Sequence, residues 1–200
     1  MFKGFEREPQ KEGEKSRVKD IPLGESAFTP EQSKALERKG YIIYPLTGQS
    51  IASLRDAGHP FWSTWHKGES FETLSSLRTE VAINPNRLFL PKSNGKTLDE
   101  QLSMVVDFGK EIGGEVTGTT AILGGVSDYA EVAFGHLDRK GQRLFDKNFN
   151  YDYARTITPT GEFSVAIVGC FNDDHGLRVG DLPQGGSGDG HVWAVPLVVP

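Results

Sequence analysis

The chain has 200 residues, 24 of them glycine, a hydrophobic share of 36% and a formal net charge of -5. That length holds one domain with a real core. The acidic balance argues against nucleic acid as a partner, no run approaches the roughly 20 apolar residues needed to cross a bilayer, and the lone Cys170 excludes an internal disulfide framework and a four-cysteine zinc site.

The first 25 residues, MFKGFEREPQKEGEKSRVKDIPLGE, mix charges of both signs and carry few apolar residues after Phe5. They lack the apolar centre of a secretory signal and read as a flexible tail over 1–25. The default location is cytoplasmic, with virion or non-classical surface display left open. Residues 26–200 read as one α+β domain.

Helix signals follow. FTPEQSKALERKG has Thr29 as N-cap, Pro30 at the first helical position and Gly40 just past the end. YIIYPL is a short strand candidate, and TGQSIASLRDAG a second helix broken near Gly58 and Pro60. In PFWSTWH, the rings of Phe61, Trp62 and Trp65 are expected to anchor the core, because large rings dominate burial. SFETLSSLR adds a turn or two of helix, and EVAINPNRLFLPKSNGK holds two strand-like runs split at Asn84-Pro85. Thr97 and Glu100 form a capping box that opens a helix carrying Leu98, Leu102, Val105, Val106 and Ile112, expected to stop at Gly113-Gly114. TGTTAILGGV is short and glycine-bounded. SDYAEVAFGHLDRKG reads as a helix capped by Ser127, with Tyr129, Val132, Ala133, His136 and Leu137 in one stripe and Gly141 at its end.

Beyond Gly141 the pattern turns to strands. NYDYARTITPTG alternates Tyr151, Tyr153, Arg155 and Ile157 on one side, and SVAIVGCF, GLRVGDL and HVWAVPLVV are three further candidates. Helices in the first two-thirds and an antiparallel sheet in the last third define an α+β layout.

Catalytic signatures are weak. Asp173, Asp174, His175, Asp181, Asp189 and His191 are metal-ligand types, but their spacing fits neither an EF-hand nor a zinc site. Solvated turn residues without an ion are therefore expected, with a loosely held calcium on the carboxylates as the alternative, and no cofactor is expected. Cys170 sits in the apolar run AIVGCF, where a small buried thiol is ordinary. No Gly-x-Ser-x-Gly elbow occurs. His136 reads as a hydrogen-bonded core residue, His59 as a turn residue and His66 as a helix-end residue. The chain is not expected to be an enzyme.

The stretch FNDDHGLRVGDLPQGGSGDG, Phe171 to Gly190, followed by HVWAVPLVVP, resembles the variable proteins of diversity-generating retroelements. The likeness is one of layout: helices, then a twisted antiparallel sheet, then a polar segment entering a tryptophan-containing final strand. It covers about the last quarter of the chain. The Gly-Gly-Ser-Trp signature of bacterial members is only echoed by GGSGDGHVW, which fits a distant branch in archaea, their viruses or little-known bacteria. The resemblance implies a C-type-lectin-like fold, a variable segment near 165–195, and recognition of a protein or glycan on another cell or particle without membrane insertion. It also implies that Asn172, Asp173, Asp174, His175, Arg178, Gly180, Asp181, Gly186, Ser187, Asp189 and Gly190 are the diversified ligand-binding positions. Leu177, Val179, Val192 and Trp193 would then be scaffold. Two rivals stay open: a carboxylate- or metal-dependent hydrolase built on Asp173, Asp181 and Asp189, and a structural virion or assembly protein.

Overall fold

The computed structural model describes residues 26–62, 66–145, 152–185 and 190–200. The expectations placed on the tail, Trp65, Tyr151, Gly186, Ser187 and Asp189 lie outside the described residues. The described chain is α+β: α1 (Pro30–Arg38), β1 (Ile42–Thr47), α2 (Ile51–Asp56), β2 (Arg78–Ile83), α3 (Leu98–Glu115), β3 (Thr120–Leu123), α4 (Val126–Lys140), β4 (Tyr153–Pro159), β5 (Ser164–Asn172), β6 (Gly176–Pro183), β7 (Val192–Trp193) and β8 (Pro196–Val199). Among these residues the strands form two four-stranded sheets, ordered β1-β2-β8-β3 and β6-β5-β4-β7.

Side-chain caps start the helices where the sequence places them. Thr29 Oγ1 accepts from Gln32 N at 3.2 Å while Gln32 Oε1 accepts from Thr29 N at 2.8 Å. Thr97 and Glu100 make the same reciprocal pair at the start of α3. Two boundaries differ from expectation. Helix α3 runs through Gly113-Gly114 to Glu115. The reason is packing: a Cβ on Gly109 would stand 2.9 Å from Ala121 N, and one on Gly113 2.6 Å from Thr119 O. These glycines let the helix lie against β3 and its approach instead of ending it. Helix α4 starts at Val126 rather than after Ser127. Gly125 is the N-cap, and Asp128 Oδ2 accepts from its N–H at 2.7 Å.

Helix α4 is the centre of the molecule. Every residue from Val126 to Phe134, and His136 beyond it, is buried. One side meets Tyr44 and Leu46 of β1, Val81 and Ile83 of β2, and Leu197 and Val199 of β8. The other meets Ala154, Ala166, Val168, Leu177 and Val179 of the second sheet. Alternation along the strands sends Ala82 and Val198 to the far side of the first sheet, where Leu36 of α1 and Ile112 of α3 cover them. The buried polar groups of α4 are satisfied by neighbouring chain. Glu131 accepts from Thr47 N at 2.8 Å, Thr47 Oγ1 at 2.6 Å and Ser76 Oγ at 2.5 Å. Asp128 also accepts from Leu77 N at 2.8 Å, and burial still pushes its carboxyl above the usual range.

The final apolar run is two strands, not one. Val192–Trp193 pairs parallel with β4, whereas Pro196–Val199 joins the other sheet between β2 and β3. The antiparallel sheet of the last third is therefore β4-β5-β6, with β7 as a short parallel edge. Ala194 and Val195, both fully buried, carry the chain from one sheet to the other.

Candidate functional site

The polar segment forms a hairpin on rigid strands. β5 and β6 pair from Ser164↔Pro183 to Asn172↔Gly176, with a bulge between Gly169 and Asn172. Cys170 occupies that bulge at φ 46 and is half-buried rather than enclosed. The turn is fixed by Asn172, whose Oδ1 accepts from His175 N at 2.9 Å. Asp173, Asp174 and His175 at its tip are exposed. Asp173 pairs with Arg143, from the segment after α4.

Strand parity sorts the remaining positions. Leu177 and Val179 are buried at 0% and 2% exposure in the core that α4 shares, and Val192 is likewise buried. Trp193 is half-buried, with its Nε1 donating to Asp152 Oδ1 at 2.9 Å. Arg178 and Gly180 stand opposite Gly169 and Ile167, on the other side of the sheet. Asp181 stands opposite the buried Ala166, so its register position shares the side of Leu177 and Val179 even though the residue is exposed near the strand end. The expected surface thus divides: the 173–175 turn, Arg178 and Gly180 are brought together, and Asp181 is directed apart from them. Gly190 is exposed, and its carbonyl accepts from Asn94 Nδ2 at 3.1 Å.

The outer face carries an aromatic and cationic cluster. The Arg178 guanidinium carbon lies 4.8 Å from the Trp62 ring centre and 5.8 Å from that of Tyr153. The His175 ring stacks on Trp62 at 4.7 Å and 23°. Burial pushes the Tyr153 hydroxyl up to about 12, against the opposing pull of Arg178. Tyr153 also packs with Ile167 and Val192 in a small apolar layer. Arg155, only 1% exposed, donates to the Pro183 and Lys96 carbonyls beneath it.

Trp62 corrects the expectation that it anchors the core. Phe61 does pack inward, against Phe134 at 5.2 Å, but Trp62 is half-buried at the surface. It reaches the hairpin because the chain at 60–62 pairs with the start of β6: Leu177 N donates to Pro60 O, and Trp62 N to Leu177 O, both at 2.9 Å. Gly176 makes this approach possible. Its φ is +82, and a Cβ there would stand 2.3 Å from Pro60 O. Sequence reasoning missed Trp62, Tyr153 and Arg143 as parts of this region. The only cue for Trp62 was an aromatic run beside Pro60.

The other singled-out residues sit elsewhere. His136 is buried and hydrogen-bonded, as expected, with Nδ1 2.5 Å from the Tyr44 hydroxyl. His59 stacks on Phe134 at 4.4 Å. His66 is fully buried in a turn rather than at a helix end. Among the described residues no three His, Cys, Asp or Glu side chains converge to hold a metal, and no helix is long and apolar enough to cross a membrane. Comparison with protein-family models, with curated proteins and with solved structures finds no match for this chain.

Proposed function

We propose that this is a ligand-binding protein of the diversity-generating retroelement type, with a C-type-lectin-like domain that presents a variable surface to a protein or glycan target. One observation carries the reading: exposed Arg178 alternates with Leu177 and Val179, which are buried in the core with α4, and the exposed turn 173–175 tips the same hairpin. Side chains on the outside of such a hairpin can change with small effect on folding, because their neighbours are solvent rather than core. A rigid support also lowers the ordering cost of binding.

The cluster of Arg178, Trp62 and Tyr153 has the composition that dominates interface energetics. Trp62 and Tyr153 are supplied from outside the variable hairpin, so they serve as fixed ground beneath changing neighbours. In this reading Asn172 is constrained by its turn bond, while Asp173, Asp174, His175, Arg178 and Gly180 carry the recognition. A side chain at Gly180 would meet Ile167 at 3.1 Å, a contact that a small residue meets by a slight shift.

Sequencing the DNA around the gene tests the assignment. A nearby reverse transcriptase, with a near-copy of the stretch encoding 165–195 that differs at adenines, is the expected result. A locus with neither overturns it.

A further inference from the structure

The end of α4 holds a second region of interest. A cavity of about 390 Å3 is lined by Pro85, Asn86, His136, Gln142, Arg143 and Leu144, a volume within the small-ligand range. Of these, Asn86 and Gln142 are exposed, Arg143 is half-buried, and His136 and Leu144 are buried. None of the described residues lining it is acidic.

Two groups there are set up to donate. Arg143 Nε is buried without a hydrogen-bond partner, a state that costs free energy unless an acceptor arrives. His136 has Nδ1 engaged by the Tyr44 hydroxyl at 2.5 Å. Desolvation pushes that phenol up to about 12. In the tautomer in which the Tyr44 hydroxyl donates to Nδ1, the imidazole proton sits on Nε2 and the opposite edge of the ring is a donor. The positive field of Lys140 and Arg139 also acts on the imidazole. The carbonyl end of α4 opposes this with a partial negative charge, yet Gly141 N already satisfies Leu137 O at 2.7 Å. Asp138 is the acid on the same turn, and it is exposed.

We propose that this cavity is a binding site for a small oxyanion, phosphate or carboxylate, received by Arg143 and the imidazole of His136. Arg143 is the link to the hairpin, because Asp173 takes its Nη2. A bound anion and Asp173 therefore compete for one guanidinium, so occupancy of the cavity and the position of the 173–175 turn are coupled. The site does not depend on the display reading, and either can fail alone.

The test uses the full chain, titrated with inorganic phosphate and separately with acetate, at ionic strength matched by chloride. Thermal midpoint and the ring 15N shifts of His136 are followed. A saturable rise of a few degrees, with movement of the His136 Nε2 signal, is expected. The arm that saturates at lower concentration identifies phosphate or carboxylate as the preferred source. Arg143→Gln should weaken binding by about tenfold or more. Asp173→Asn, which breaks the same ion pair but leaves the cavity intact, should tighten it several-fold and controls for loss of fold. Absence of a saturable response to both anions, or an Arg143→Gln variant that responds like the parent, overturns the proposal.

Discussion

Gly176→Ala is the sharpest single perturbation of the hairpin. The residue sits at φ +82, where an L side chain costs about 1 kcal/mol. The new methyl would also stand 2.3 Å from Pro60 O and 2.5 Å from Pro60 C. Both are far inside van der Waals contact, so the 60–62 segment must withdraw. That breaks the two 2.9 Å bonds linking it to Leu177, at about 1 kcal/mol each. The total is about 3 kcal/mol, and for a chain of this size it lowers Tm by about 6–12 °C. Asp174→Ala, two residues away and exposed, should change stability by no more than about 0.5 kcal/mol. Thermal unfolding followed by circular dichroism compares them. Trp62 fluorescence should also shift in Gly176→Ala, since its stack on His175 is pulled apart. Equal losses in the two variants, or a neutral Gly176→Ala, would refute the pairing of this segment with β6 as the support of the turn.

Other outcomes follow from the same structure. Gly113→Ala should destabilise α3, because its Cβ meets Thr119 O at 2.6 Å, whereas Gly114→Ala, with nothing within 4 Å, should stabilise by about 0.5–1 kcal/mol; chemical denaturation separates them. Glu131→Ala removes the acceptor of three hydrogen bonds from Thr47 and Ser76 and should cost about 2–4 kcal/mol in the same assay. Burial lowers His66 and His136 from 6.5, so the unfolded chain takes up protons first. Their stabilising effect is present above pH 6.5 and is lost as pH falls through the depressed folded values. Tm should drop across that window, and His136→Gln should flatten the drop.

Some of this was legible in residue types, and some only in three dimensions. The caps at Thr29 and Thr97 and the inward pair Leu177 and Val179 were readable because capping and strand parity are local. The division of HVWAVPLVV was not. An unbroken apolar run reports burial on both sides and says nothing about which sheet it joins. Gly113-Gly114 carries a stop signal that tertiary contact with the approach to β3 overrides. Trp62 was assigned to the core by size, yet its position is set by pairing with Leu177, more than a hundred residues away. Asp181 was grouped with Arg178 by polarity, while odd spacing along a strand places the two on opposite sides.

Protease resistance of every single substitution from Gly169 to Val199 bears most directly on a rigid hairpin with a variable outside. Near-parental resistance is expected for most replacements at Asp173, Asp174, His175 and Arg178. Steep losses are expected at Gly169, Gly176, Leu177, Val179 and Val195. Uniform sensitivity, with the outward positions as intolerant as the inward ones, would contradict a surface that varies independently of its scaffold.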